Sequence, residues 1–331
     1  MNGPEQNGAY MGMNRQEKNH LDIETPKSVP AFPETRKISH HDFEVVKSFS
    51  ESHRLPYSDF NFLSLLNNNV HEGFKISQLN ESLVIRFLDY SDQKPFYSFI
   101  GGYDVEKTID QLMEQSKKEN IEPKLKLIPE ETLLLSMGKL QKRFNIEEDP
   151  NNYDYVYKIS DLANLEGGKF KGHRNQRSKF IRKNPDCQIV YYKNSDTKPM
   201  LKNLLETVHL WETPKKNTDE MAHLERSITR MINYSKYFDL FNVGIYVNGK
   251  LEGFCLNELI KNKFVMSHFI RANIKHAGIY QFFDNAMACK LDEMGYKYTN
   301  WQQDLGIPNI RQMKMDSNPI GFIKKYTVSP K

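Results

Sequence analysis

Two polar stretches hold the residues whose types and spacing suit chemistry. In NWQQDLGIPNIRQMK, Asn300 ends an alternating apolar run, and Gln302, Gln303 and Asp304 follow in a loop. Arg311 and Lys314 then lie three apart on the helix that Pro308 begins. A loop acid beside paired bases can orient a polar substrate or stabilise charge that develops on it. Capping of the helix by Asp304 would explain the acid but not the two bases. In LEGGKFKGHRNQRSKFIRKNP, Lys169, Lys171, Arg174, Arg177, Lys179, Arg182 and Lys183 stand with His173 against few acids. From Lys169 onward the spacing is helical, with Phe170, Arg174, Arg177 and Ile181 on one side. A nucleic-acid patch, a solvated helix face and the wall of a catalytic groove all fit such charges. Phe170 and Phe180 within the stretch favour a half-packed helix that turns some cations toward a groove.

Composition limits the alternatives. The chain has 331 residues, 38% of them hydrophobic, and a formal net charge of only +4. That length allows two domains, and the small charge makes any anion site local. The three cysteines, Cys187, Cys255 and Cys289, are widely spaced and suit free thiols in a reducing compartment. No apolar run has the length of a membrane span, and the polar N-terminus has no signal-peptide core. A soluble, cytoplasmic protein is expected. G-x-S-x-G, metal-spaced His or Cys, Walker and dinucleotide-binding patterns are absent from the sequence. Cys255, His268, Trp211 and Trp301 read as packing residues.

The elements that must position these groups occur twice in the same order. Residues 1–30 lack apolar periodicity and are expected to be a disordered tail. DFEVVKSFSESH has helical spacing. FKISQL and SLVIRFLDY flank Asn80-Glu81, PFYSFIGG follows as a third strand, DVEKTIDQLMEQSKKEN is an amphipathic helix, and PKLKLIP closes the set. In the second half LFNVGIYV and KLEGFCLNELI flank Asn248-Gly249, a strong hairpin signal. FVMSHFI, the helix GIYQFFDNAMACKLDEMG and the strand YKYTNW complete it. KPMLKNLLETVHLW and EMAHLERSITRMINYS are predicted helices ahead of that meander. Strand, strand, strand, helix, strand, repeated, is the layout of N-acetyltransferase-like (GNAT) domains. The expectation is an α+β fold of two tandem GNAT-like domains, residues 31–150 and 151–331, each with a mostly antiparallel mixed sheet. The first is expected to be degenerate and the second to hold the active site.

In a GNAT layout the helix after the third strand opens with a loop whose N–H groups bind the pyrophosphate of coenzyme A. Lys275-His276-Ala277-Gly278-Ile279-Tyr280 offers a base and a glycine, but Tyr280 stands where a small residue is usual. An acyl-CoA donor and a plain N-cap glycine with a packing tyrosine both remain open. The first-half counterpart, Gly101-Gly102-Tyr103-Asp104, carries an acid that would repel phosphate.

Leu165, Gly167, Lys169, Phe170, Arg174, Asn175 and Phe180 resemble, in order and spacing, a recurrent motif of the phosphatidylglycerol lysyltransferase C-terminal domain family. Asn300, Asp304-Leu305-Gly306, Arg311, Lys314 and Pro319 resemble its second signature, and GIYQFF a weaker third. The similarity spans about residues 30 to 331. It implies transfer of an aminoacyl group from aminoacyl-tRNA to a hydroxyl or amine acceptor, such as a lipid headgroup or a small amine. The resemblance implies no cofactor and no metal, and it allows a peripheral position at the membrane. An acyl-CoA-dependent N-acyltransferase and a non-catalytic module that binds tRNA or another anion are the alternatives. On the leading reading Asp304, Asn300 and Arg311 are catalytic. Lys169, Arg174, Asn175, Gln303, Lys314, Gly278 and Tyr280 then bind the donor or substrate. The family usually has Glu where this chain has Gln302, and a Tyr where this chain has a segment around Ser317.

Overall fold

The computed structural model describes residues 28–69, 72–193, 203–204 and 218–331. Most of the tail (1–27), most of the helix expected at 198–211 and Trp211 lie outside the described residues. The first half runs β1 (Arg36–Lys37), α1 (Phe43–Glu51), α2 (Phe62–Asn68), β2 (Lys75–Leu79), β3 (Ser82–Leu88), β4 (Pro95–Ile100), α3 (Val105–Lys118) and β5 (Leu125–Pro129). Short helices α4 (Glu130–Leu133) and α5 (Met137–Arg143) lead to β6 (Phe144–Glu148). The second half runs β7 (Asp154–Lys158), α6 (Ile159–Asn164), α7 (Lys171–Lys183), β8 (Gln188–Lys193) and α8 (Thr218–Tyr234). Then come β9 (Leu240–Val247), β10 (Lys250–Leu259), β11 (Phe264–Ala272), α9 (Ile279–Glu293), β12 (Tyr298–Asn300), α10 (Pro308–Asp316), β13 (Gly321–Ile323) and β14 (Lys325–Pro330).

Local chemistry explains the two meanders. Asn80-Glu81 and Asn248-Gly249 have positive φ at both turn positions, the geometry that matches the twist of a two-residue hairpin. α3 is capped by Asp104, whose carboxylate accepts from the Lys107 N–H, and buries Val105, Ile109, Leu112 and Met113. Asn61 caps α2 by accepting from the Ser64 N–H at 2.9 Å. The fold is α+β, with mixed sheets flanked by helices and the strand, strand, strand, helix, strand order present twice.

Three sheets result. One has the order β1-β2-β3-β4, and a second has seven strands in the order β13-β7-β12-β11-β10-β9-β8. Its β11–β12 pair is parallel and covers only Phe264 to Met266 against Tyr298 to Asn300. β11 continues to Ala272, so the strands part at Ser267 and Trp301. There the Gln302 side-chain amide donates to the Ser267 carbonyl at 2.9 Å in place of a strand. A Glu at 302 would present an acceptor to that carbonyl.

The third sheet, β5-β14-β6, departs from a simple cut at residue 150. The last strand of the chain returns to the first half and pairs with both β5 and β6. The largest core cluster also crosses the halves, joining residues of α1, α2 and β3 to residues of α8, β9 and β10. The basic helix is half-packed through its two aromatics, as expected. Phe170 and Phe180 are buried and Phe180 stacks on Phe282 at 4.7 Å, whereas Ile181 is 36% exposed.

Lys325, the first residue of β14, is fully buried between Asp59 and Asp154, with Asp154 at 2.7 Å. Burial alone would push the Lys325 ammonium down, and the two carboxylates outweigh this and raise it. Removing the cation would leave two carboxylates in the interior. Lys325→Met is therefore expected to destabilise the fold by about 3–5 kcal/mol in urea unfolding. An unchanged midpoint would refute the role given to this lysine.

Candidate functional site

The loop after β12 is twisted and strongly anchored. Gln302, Leu305 and Gly306 all have positive φ. Asn300 is fully buried, donates to the Pro56 carbonyl at 2.8 Å and accepts from the Gln302 N–H at 2.7 Å. Gln303 lies 2.8 Å from the Ser58 hydroxyl and donates to Asp59 at 3.3 Å. Lys314 reaches back from α10 and donates to the carbonyls of Trp301 (2.6 Å), Gln302 (3.0 Å) and Gln303 (2.7 Å). Burial pushes its ammonium down to about 8, against Asp154 and Asp304, which raise it. Lys314 is thus a clamp on the loop, and its three donors are committed to backbone.

Asp304 is buried and accepts four hydrogen bonds. Arg311 donates two in a fork, Nε to Oδ2 at 2.8 Å and Nη2 to Oδ1 at 2.9 Å. The Tyr155 hydroxyl donates at 2.6 Å and the Gly306 N–H at 2.7 Å. Burial raises the carboxyl, but these donors outweigh it and hold it below the usual carboxylate range. Its pairing with Arg311 therefore contributes stability above the unfolded value and loses it only as pH falls through the lower folded value. Asp304 does not cap α10, whose N-cap is Ile307 without a side-chain bond. Arg311 Nη2 also reaches Asn151 at 2.8 Å, while Nη1 has no hydrogen bond among the described residues.

The other basic residues divide in two. Arg174 is a staple: its Nη1 donates to the carbonyls of Leu165 and Gly167, closing the left-handed end of α6. Lys169 pairs with Asp161 at 3.2 Å and covers the Phe170 ring. Asn175 is exposed. Lys171, Lys179, Arg182 and Lys183 are exposed and have no ion pair among the described residues.

At the start of α9, Gly278 has φ +88°, and a Cβ there would collide with the Gln176 carbonyl oxygen. α7 is seated directly on this loop. Tyr280 packs against the core under α6, α7 and α9. Lys275 is exposed, and His276 is held by Asn184 at 3.1 Å. His268 is buried, with Nε2 3.2 Å from Glu258. Among the described residues no group of His, Cys, Asp or Glu could hold a metal ion.

Several residues escaped the sequence pattern. Tyr155 and Asp154 adjoin the loop from β7, a strand of DYVYK that no turn signal sets off in the sequence. Asp284 on α9 is the other. It shares a stripe with Met287, Ala288 and Leu291, all buried, and a single acid on an apolar stripe was the available signal. Burial pushes its carboxyl up to about 7.

Two outcomes follow from this geometry. Lys314→Met is expected to speed amide hydrogen exchange across residues 302–306 by about tenfold or more, with α3 unaffected. Unaltered exchange would show that the clamp is dispensable. Gly278→Ala is expected to lower the melting temperature by several degrees, on the order of 1–3 kcal/mol, because α7 must move away from α9. A variant as stable as the parent would refute the close seating of the two helices.

Comparison with known proteins matches this architecture. A conserved protein of unknown function from Bacteroides thetaiotaomicron superposes with a TM-score of 0.75 at 22% identity, covering 90% of this chain and 99% of the other. L-PGS from Bacillus licheniformis superposes with a TM-score of 0.59 at 14% identity, over 92% of this chain and 94% of the other. At such identities the likeness establishes the fold. A search of curated proteins finds no match. The family model for the phosphatidylglycerol lysyltransferase C-terminal region matches residues 57–329, which include the twisted loop, its Lys314 clamp and the α7 staple. The chain belongs to the phosphatidylglycerol lysyltransferase C-terminal family.

Proposed function

We propose that the chain is an acyltransferase that takes an aminoacyl group from aminoacyl-tRNA and passes it to a hydroxyl or amine acceptor. Membership of a transferase family supports group transfer. The seating of α7 carries the choice of donor. It presses the Gln176 carbonyl against Gly278, where the pyrophosphate of an acyl-CoA would need backbone N–H groups and would meet a carbonyl oxygen instead. The same helix presents Lys171, Lys179, Arg182 and Lys183 without ion pairs among the described residues, cations suited to the phosphates of an RNA 3′ end.

In this reaction the acceptor attacks the ester carbonyl and negative charge develops on its oxygen; the bond to the tRNA 3′ oxygen then breaks, and the proton lost by the acceptor ends on that oxygen as the free 3′ hydroxyl. Arg311 suits the stabilisation of that oxygen, because Asp304 holds the guanidinium by Nε and Nη2 and leaves Nη1 uncommitted. Asp304 is then a positioning residue, with Tyr155 behind it. Asn300, Gln303 and Lys314 hold the loop that carries Asp304. Lys169, Arg174 and Asn175 shape and flank the start of α7, the donor-facing helix.

The test is turnover of tRNA charged with a labelled amino acid, against acyl-CoA as the rival donor. Release of the label to an acceptor is expected only with aminoacyl-tRNA, and Arg311→Ala is expected to lower kcat about 10²–10³-fold while tRNA binding persists. Turnover with acyl-CoA alone would replace this reading with an N-acyltransferase. Salt-sensitive tRNA binding without any turnover would leave a binding module.

A further inference from the structure

The helix-side face of the seven-stranded sheet holds polar groups that the Asp304 loop does not use. Thr299 on β12 is buried, and its hydroxyl has no hydrogen-bond partner among the described residues. The Trp301 indole N–H, two residues on, is also buried and without a partner among the described residues. The Trp301 ring lies 4.1 Å from that of Tyr157, tilted by 38°, and Thr299 is in register with Tyr157 across the β7–β12 pair, so the three share one face. Asp284 looks onto this face from α9. It lies one turn before Met287, whose sulfur is 3.5 Å from Cys255 on β10 and which packs with Tyr157 in the same core cluster. It forms neither a hydrogen bond nor an ion pair among the described residues, and the residue is half-buried. The group lies beside Ser267 and Trp301, where β11 and β12 part.

We infer that Asp284, Thr299 and the Trp301 indole form a subsite for an α-aminoacyl group, with Asp284 binding its ammonium and the Trp301 N–H binding its carbonyl oxygen. The chemistry matches atom for atom. An ammonium supplies the donors that a lone carboxylate and a hydroxyl oxygen lack, and the faces of Tyr157 and Trp301 favour a cation. The indole N–H needs an acceptor, which an acyl oxygen next to the ammonium provides. This inference deepens the proposed function and rests on it for the identity of the ligand, though not for the presence of an ammonium site.

The pH response follows from the surroundings. Burial alone raises the Asp284 carboxyl to about 7, with no contribution from a charge on α6, α7 or the sheet. The titratable groups that face it, Tyr157 and Cys255, are pushed up by burial and stay neutral at physiological pH. Ammonium binding needs the ionised carboxylate, so it strengthens as pH rises through 7.

The experiment uses two probes on the full chain, n-butylammonium and 3′-aminoacylamino-adenosine, the latter also in N-acetylated form. Butylammonium is expected to bind about tenfold more tightly at pH 8 than at pH 6, the change in the ionised fraction of a group titrating near 7. Asp284→Asn, which keeps the shape, is expected to abolish that step and weaken binding about tenfold. The adenosine mimic is expected to lose affinity on N-acetylation, and to lose more in Trp301→Phe than butylammonium does. No binding of butylammonium, or binding that is flat with pH and unchanged in Asp284→Asn, overturns the subsite. An adenosine mimic that binds equally well when acetylated and to Asp284→Asn also overturns it, while the aminoacyl-tRNA reading survives. Butylammonium behaving as expected while neither adenosine form binds keeps the ammonium site and sinks the donor assignment.

Discussion

A lysine ammonium held out of water must be met by opposite charge, and Lys325 meets two carboxylates, Asp59 and Asp154, that come from opposite halves of the chain. Lys325 itself arrives on the last strand, so the pairing exists only when both halves and the C-terminal strand have assembled. Ser58 carries the constraint outward. Its N–H donates to Asp154 at 2.8 Å, and its hydroxyl sits 2.6 Å from Asp154 and 2.8 Å from Gln303. Asn300 also donates to Asp154 at 3.2 Å. Asn300 and Gln303, which looked like reactive groups, are better understood as the point where this buried charge cluster grips the loop. Burial raises the Asp59 carboxyl, and Lys325 works against that shift. The cluster needs its lysine to remain tolerable in the interior.

The bases singled out by motif do three different jobs, and solvation separates them. Lys314 gives up water for three backbone carbonyls, and its ammonium is pushed down by burial. Arg174 binds two carbonyls from an exposed position and closes a helix end. Arg311 alone is paired in a fork with a carboxylate while part of its guanidinium faces solvent, its side chain being 42% accessible. Spacing treats the three as equals. Only the third combines fixed geometry with free donors, which is what stabilising a transient negative charge requires.

Much of the fold was legible because its signals are local. Turn residues at Asn80-Glu81 and Asn248-Gly249, the apolar stripe of α3 and the alternation in the two meanders each report on a few neighbouring residues. The return of β14 to β5 and β6 was not legible, since nothing in KYTVSP states which sheet edge it will meet. β7 and β13 were missed for the same reason, being short strands whose identity depends on partners far away in sequence. At the site, the loop acid and the helix bases were found, and their contacts were not. Capping by Asp304 and a substrate-binding Lys314 were both reasonable until the fold of the loop brought Arg311 onto the acid and backbone carbonyls onto the lysine. The aromatics Phe170 and Phe180 read as the residues that pack the basic helix, and both are buried, Phe180 filling the gap beside Phe282.

The alternation of a strand divides the second motif between two tasks. β12 is only three residues long, yet it lies inside a sheet that has a core on each face. Asn300 is in register with Val156 and Met266 and turns toward the first half, where it joins the Lys325 cluster. Thr299 and Trp301 turn the other way, toward α9 and Asp284. One residue of register therefore separates groups that fix the loop from groups whose hydrogen-bonding capacity is unspent. A buried donor and a buried hydroxyl left unpartnered each cost free energy, and they lie together where two parallel strands diverge. Stability would favour apolar residues at both positions. Their presence on that face is accounted for most simply if a polar guest completes their bonds, which is the condition a transferase meets each time it holds its acyl group.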